Sequence, residues 1–210
     1  MQSSLIYRSL IEAFGTFAIA FTSLNLPNLA TSVIEQSLLI GILVATLIHS
    51  FGRVTGAYFN PIISVLLLKK AYKSNMEIIT YTAFQFAGAL CLYSFGWISL
   101  NNEIEKTYSF YPLEPNHIIS EFIFTTILLS LILSWSNEGK LCPFSQPFTG
   151  IVIGLGITII LCISSLFGGA SLNPAVSLSL ASKGCNPDFF NQIIGQILAL
   201  TFVRKIFTFN

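Results

Sequence analysis

Six long apolar stretches, separated by short polar connections, dominate the pattern of the chain. About 20 helical residues cross a hydrocarbon core of ~30 Å, and each stretch is close to that length. The predicted membrane spans are Leu5–Leu24, Glu35–Ser50, Met76–Ser99, His117–Trp135, Phe148–Phe167 and Phe189–Phe207. The pattern therefore predicts an all-α integral membrane protein with six transmembrane helices.

Two shorter segments, each opened by Asn-Pro, lie between spans two and three and between spans five and six. Asn60-Pro61 precedes the run Ile62–Lys69, and Asn173-Pro174 precedes the run Ala175–Lys183. Asn favours the N-cap of a helix, and Pro favours its first position. At ~1.5 Å per residue, a run of about nine residues crosses about half a bilayer. We therefore expect two re-entrant half-helices whose N-termini meet near the midplane.

The composition changes the picture only by excluding classes of function. The 210 residues are 53% hydrophobic and 9% charged, whereas soluble domains carry roughly 25% charged residues. A net charge of +1 without a basic face argues against a nucleic-acid partner. The four cysteines show no metal-ligand spacing, and His49 and His117 are the only histidines. We expect no metal, no cofactor and no enzymatic activity.

The basic residues predict the orientation in the membrane. Most of the ten Lys and Arg residues fall on one side of the predicted spans: Arg8, Arg53, Lys69, Lys70, Lys73, Lys140, Arg204 and Lys205. Because connections on the cytoplasmic side are enriched in Lys and Arg, we expect both termini in the cytoplasm. The expected location is the cell membrane, with several passes through the lipid bilayer.

The two halves of the chain repeat each other. Glu12 in span one matches Glu121 in span four, 109 positions later, and Asn60 matches Asn173 at a distance of 113. We also align Gln85 through Gly88 with Gln192 through Gly195, at a distance of 107. The repeats extend over about residues 1–105 and 110–210 of a single domain, 1–210. Three spans in each half give the repeats opposite topology.

On these residues the chain resembles the aquaporin family, the major intrinsic proteins. The resemblance rests on the two glutamates, on Gly56-Ala57-Tyr58-Phe59-Asn60-Pro61-Ile62 and on Gly169-Ala170-Ser171-Leu172-Asn173-Pro174-Ala175, and it covers essentially the whole chain. It implies an aquaporin-like fold, a passive channel and a homotetramer with one pore in each subunit. Three departures are Ile62 for a usual Ala, Tyr58 for a common His, and Val176 where most members carry Arg.

The resemblance also implies roles for the residues of the two boxes. Asn60 and Asn173 would each cap a half-helix and leave the amide NH2 free to donate to a solute. Glu12 and Glu121 would support the two re-entrant loops by accepting from backbone N–H groups. Backbone carbonyls of the preceding stretches would accept from the solute: Gly56, Ala57, Tyr58, Gly169 and Ser171.

The outer selectivity filter, counted from the boxes, consists of Ile40, Leu161, Ala170 and Val176. A filter without Arg or His resembles that of family members with a wider or more apolar gate. Ser177, however, follows the pattern of water-selective members.

Water is therefore the first expected substrate, and a facilitator for glycerol, urea or ammonia is the alternative. A coupled secondary transporter is a third hypothesis from another class, since such transporters also have inverted repeats and broken helices. It is disfavoured because Glu12 and Glu121, the acids in the interior of the predicted spans, match the structural pair of the family. His49 could gate the pore by protonation, although a packed histidine is the favoured reading.

Overall fold

The computed structural model describes residues 4–71, 73–93, 112–136, 148–182 and 186–207. These residues form eight α-helices and no strand. The helices are α1 (Leu5–Leu29), α2 (Val33–Phe51), α3 (Pro61–Lys70), α4 (Asn75–Leu90), α5 (Pro115–Trp135), α6 (Thr149–Ser164), α7 (Pro174–Ser182) and α8 (Phe189–Ile206). Short 3₁₀ turns, Cys91–Tyr93 and Ser165–Phe167, follow α4 and α6.

Serine caps determine where several of the long helices begin. Ser4 Oγ accepts from the backbone N of Tyr7, and Ser74 Oγ accepts from the backbone N of Glu77, both at 3.2 Å. Ser32 forms a capping box, because Glu35 N donates to Ser32 Oγ while the Glu35 carboxylate accepts from Ser32 N at 3.1 Å. Such caps satisfy backbone donors that have no partner within the helix. They explain why α2 begins two residues before the predicted start at Glu35.

The long helices agree with the predicted spans except near their ends. Within the described residues, four helical segments are long and apolar enough to cross a membrane: Leu5–Pro27, Val33–Phe51, Pro115–Trp135 and Thr149–Phe167. The first helix continues past the predicted end at Leu24 and through Pro27. The predicted ends of span three at Ser99 and of the second half-helix at Lys183 lie outside the described residues.

The helices pack as two equivalent sets. In the first half α1 packs along α4, in the second half α5 packs along α8, and α2 and α6 pack against each other. Glycines allow close crossings, as small residues do in membrane bundles. A Cβ on Gly88 would overlap the carbonyl of Ala13, and a Cβ on Gly195 would lie 2.7 Å from the carbonyl of Ile118. These two crossings join the equivalent pairs α1–α4 and α5–α8.

The two half-helices complete the bundle. Helix α3 has ten residues and α7 has nine, so each is about 14–15 Å long, half of a ~30 Å hydrocarbon core. Both begin at proline, one residue before the predicted starts at Ile62 and Ala175. Helix α3 packs on α4 and α7 packs on α8, and the two half-helices also contact each other. The fold is that of six long helices around two half-helices, in inverted repeats.

Large apolar side chains cover the outer surface of the bundle. Ile6, Ile42, Leu155, Ile159 and Ile197 are all more than half exposed. A soluble protein rarely exposes so many large apolar side chains, whereas a hydrocarbon environment favours them. The surface therefore suits an integral membrane protein.

Candidate pore at the meeting of the half-helices

The N-termini of α3 and α7 meet through two asparagines. Asn60 Oδ1 accepts from the backbone N of Ile62 at 3.0 Å, and Asn173 Oδ1 accepts from the backbone N of Ala175 at 3.1 Å. Asn60 Nδ2 donates to the carbonyl of Leu172 at 2.7 Å, and Asn173 Nδ2 donates to the carbonyl of Phe59 at 2.9 Å. Each side chain thus caps its own half-helix and binds the backbone just before the other one.

This crossed pair of hydrogen bonds changes one expectation from the sequence. The amide NH2 groups are not wholly free, because one hydrogen of each is used between the two loops. An amide NH2 carries two hydrogens, so a second donor remains on Asn60 and on Asn173. Both residues line a cavity, described below, into which that donor can point.

The accepting carbonyls belong to residues with left-handed backbone. Phe59 has φ 49° and Leu172 has φ 63°, and Ala57, with φ 53°, is also left-handed. Such a conformation costs non-glycine residues of the order of 1–3 kcal/mol and persists only where the surroundings enforce it. The turned backbone at Phe59 and Leu172 is what allows each carbonyl to face the opposite asparagine.

Glu12 holds the first of these loops. Its carboxylate accepts from the backbone N of Tyr58 at 3.1 Å and of Phe59 at 2.6 Å. Gln85 Nε2, from α4, donates to Glu12 Oε2 at 2.8 Å. Glu12 has no exposed surface, and its oxygens point at backbone donors, as a buried carboxylate requires.

Glu121 holds the second loop in the same way. It accepts from the backbone N of Ser171 at 2.8 Å and of Leu172 at 2.7 Å. Gln196 Nε2, from α8, donates to Glu121 Oε1 at 2.9 Å. The structural counterpart of Gln85 is therefore Gln196, and the alignment of Gln85 with Gln192 was wrong. The distance of 111 positions between Gln85 and Gln196 lies between those of the glutamate and asparagine pairs, and this signal could have found it.

A cavity of about 370 Å³ extends from the two asparagines along one side of α7. All four predicted filter residues border it, as do the predicted carbonyl residues Tyr58, Gly169 and Ser171. Gly56 and Ala57 do not border it. Most of the remaining lining is apolar and comes from α1, α2, α5 and α6: Ile19, Leu26, Val44, Leu128 and Ile157.

The filter positions contain no charge. Ile40 and Val176 are 7% and 5% exposed, and Leu161 and Ala170 are partly buried beside the same cavity. Among the described residues that line the cavity there is no charged side chain. Its polarity comes from backbone carbonyls and from neutral amide and hydroxyl groups.

Two of these amides were not predicted from the sequence as pore residues. Asn186 and Gln192 line the cavity, and Asn186 Nδ2 donates to Gln192 Oε1 at 2.9 Å and to the carbonyl of Ser177 at 3.1 Å. Asn186-Pro187 is a third Asn-Pro pair, placed just before α8. That repetition was the available signal for a further polar position.

His49 does not border the cavity. Its Nδ1 lies 2.8 Å from the carbonyl of Ala45 in the preceding turn of α2, and its ring lies against Gly150 of α6. These contacts belong to the packing of α2 on α6. Gating by protonation of His49 stays an untested hypothesis.

Six long helices around two half-helices, joined at paired asparagine caps beside a cavity, define the aquaporin fold. The chain belongs to the major intrinsic protein family, whose family model matches residues 2–194. The structure is similar to that of the aquaglyceroporin from Plasmodium falciparum, with a TM-score of 0.70 and 23% identity, over 96% of this chain and 95% of that one.

Similar proteins include both aquaporins and a glycerol uptake facilitator. The chain is 24% identical over 189 residues to aquaporin NIP2-1 of Oryza sativa, covering 84% of this chain and 61% of the relative. It is 26% identical over 165 residues to aquaporin-5 of Ovis aries, covering 76% and 62%. It is 26% identical over 237 aligned positions to the glycerol uptake facilitator protein of Haemophilus influenzae, covering 98% and 86%. The chain thus spans about three fifths of the length of the two aquaporins named here.

Proposed function

We propose that the chain is a passive transmembrane channel for water. The observation that carries this proposal is the crossed pair Asn60 and Asn173, which places two amide donors side by side at the start of a cavity. The carbonyl-bearing stretch Gly168–Leu172 borders the same cavity and offers acceptors, while the facing wall is apolar. Water is bound weakly along such a path, and its oxygen turns toward the two asparagines.

Exclusion of ions follows from the same geometry. Each half-helix directs its N-terminus, with roughly half a positive charge, at the point where the asparagines meet. Two such ends repel cations, including a hydrated proton, where the water chain must reorient.

A second candidate is a broader facilitator of small neutral solutes such as glycerol, urea or ammonia. Val176 favours it, because this position offers neither charge nor a hydrogen-bond donor to the cavity. The relative named a glycerol uptake facilitator adds support. Ser177 instead favours water as the substrate, because it follows the sequence pattern of water-selective members.

The coupled transporter is disfavoured. Glu12 and Glu121 are the acids buried within the described bundle, and both are occupied by backbone N–H groups. Neither borders the cavity, so neither is placed to exchange a proton with a passing solute.

We further propose one channel domain over residues 1–210, built of repeats at about 1–105 and 110–210. Both termini would lie in the cytoplasm of a multi-pass protein of the cell membrane. The position of the basic residues supports this orientation, because Arg8 pairs with Glu77 at 2.7 Å and Lys70 Nζ lies 3.5 Å from Ser136 Oγ. These contacts bring the basic ends of α1 and α3 to one face of the bundle. A homotetramer with one pore in each subunit is the proposed assembly.

Stopped-flow light scattering on proteoliposomes tests the proposal. We expect faster osmotic shrinkage than in empty liposomes, with solute flux that follows the solute gradient and ignores an imposed pH gradient. Accumulation of a solute driven by the pH gradient would contradict the channel and support a coupled transporter.

A further inference from the structure

One hydrogen-bond donor at the outer part of the cavity is not accounted for by the two asparagine boxes. Gln192 lies in the first turn of α8 and borders the cavity. Its Oε1 accepts from Asn186 Nδ2 at 2.9 Å, which fixes the orientation of the amide. Among the described residues, no hydrogen-bond acceptor binds Gln192 Nε2. Because Gln192 borders the cavity, its NH2 group can donate to a solute there.

Asn186 fixes the height of this amide along the pore. Asn186 is 8% exposed, and its Nδ2 also donates to the carbonyl of Ser177, the residue that follows Val176 on α7. Val176 and Leu180, one turn further along α7, border the same cavity. The Gln192 amide thus lies beside the segment of α7 that carries the filter position Val176.

The donor differs in kind from a guanidinium. An amide NH2 donates two hydrogen bonds without a charge, so it attracts a carbonyl oxygen without repelling or requiring ions. Backbone carbonyls of Gly168–Leu172 border the cavity and can accept from solute N–H groups, and the facing wall of Ile40 and Leu161 is apolar. A small neutral amide carries both complementary groups in one plane.

We propose that Gln192, oriented by Asn186, is a specificity-determining donor of the outer cavity and favours small neutral solutes with a carbonyl oxygen, such as urea. This inference rests on the proposed channel function. It adds to the asparagine boxes and to the four filter positions a fifth contact that comes from α8.

The test compares Gln192→Met with the wild type in proteoliposomes. Methionine keeps the length of the side chain and removes the donor. We expect urea permeability to fall about 2- to 10-fold, the effect of one neutral hydrogen bond, and to fall by a larger factor than water permeability. Gln36→Met is the matched control, because Gln36 of α2 donates from Nε2 to the carbonyl of Ala30, just after the end of α1, and does not border the cavity.

A second variant separates donation to the solute from support of Asn186. Gln192→Glu keeps an oxygen that can accept from Asn186 Nδ2, but it has no NH2. We expect the same loss of urea permeability. Urea flux at the wild-type level in this variant would show that the side chain only holds Asn186, and would overturn the proposal.

Three further results would contradict either the role of Gln192 or the proposed channel function. An unchanged ratio of urea to water flux in Gln192→Met would overturn the inference and leave the channel intact. A fall in glycerol flux as large as the fall in urea flux in Gln192→Met would overturn the preference for a carbonyl oxygen. Wild-type protein with water flux no greater than that of empty liposomes would instead refute the proposed function itself.

Discussion

At the scale of single residues, buried carboxylates hold the backbone of the two loops that precede the half-helices. Glu12 and Glu121 each accept two backbone N–H groups from a loop that contains at least one left-handed, non-glycine residue. An amide at either position keeps one acceptor oxygen and replaces the other with a donor. One backbone N–H would then face an NH2 group inside the bundle.

Glu121→Gln should therefore destabilise the second loop by about 1–3 kcal/mol, the cost of a buried unsatisfied donor. We expect a lower unfolding temperature in detergent and reduced water flux. Glu35→Gln is the control, since Glu35 caps the exposed start of α2 and does not touch either loop. An unfolding temperature for Glu121→Gln equal to that of the wild type would show that the carboxylate does not hold the loop.

Val176→Arg tests the filter at the same scale. A guanidinium beside Ile40 and Leu161 would narrow the cavity and add a fixed charge and donors. We expect urea or ammonia permeability to fall more than water permeability. The wild type could instead pass water at a normal rate but neither urea nor ammonia. That result would contradict a filter wide enough for small neutral solutes and would leave the proposed water channel unaffected.

At the scale of elements, the helix crossings differ in how much room they leave for a side chain. Gly88 of α4 faces the backbone carbonyl of Ala13 on α1, whereas Gly156 of α6 faces only the end of the flexible Leu131 side chain. The Ala13 carbonyl can move only if the helix α1 moves, whereas the Leu131 side chain can change its rotamer.

Gly88→Ala should destabilise the bundle by roughly 1–3 kcal/mol, because the added methyl overpacks against backbone. Gly156→Ala should be neutral or stabilising, since Ala has a helix propensity about 1 kcal/mol better than Gly and Leu131 can give way. Thermal unfolding of both variants in one detergent measures the difference. Equal unfolding temperatures would contradict the tight α1–α4 crossing.

The elements were largely predictable from the sequence, because length, apolarity and Asn-Pro are local signals. The half-helices begin at Pro61 and Pro174, within one residue of the prediction. The contact between Asn60 and the carbonyl of Leu172 was not predictable. It joins residues far apart in the chain and depends on a left-handed turn at a leucine, which no local propensity favours. The pairing of Gln196 with Glu121 was missed because the spacing of the repeats is not constant.

At the scale of the whole molecule, the two halves contribute matching groups to the place where the half-helices meet. Each half supplies a glutamate that holds a loop, a glutamine that binds the glutamate, and an asparagine that reaches the other half. The four predicted filter residues are less symmetric, since they come from α2, α6, the loop before α7 and α7 itself. The proposed path of water runs where the two asparagines meet.

Water permeability of Asn60→Ala and Asn173→Ala in proteoliposomes, at equal protein content, tests this path. Each change removes a cap worth about 1 kcal/mol, a donor to the solute and one arm of the crossed pair. Asn25→Ala is the matched control, because Asn25 is a buried asparagine of α1 that donates to the carbonyl of Phe21 and does not border the cavity. We expect water flux to fall toward that of empty liposomes in the first two variants and to persist in the control. Wild-type flux in both Asn60→Ala and Asn173→Ala would contradict the assignment of the pore.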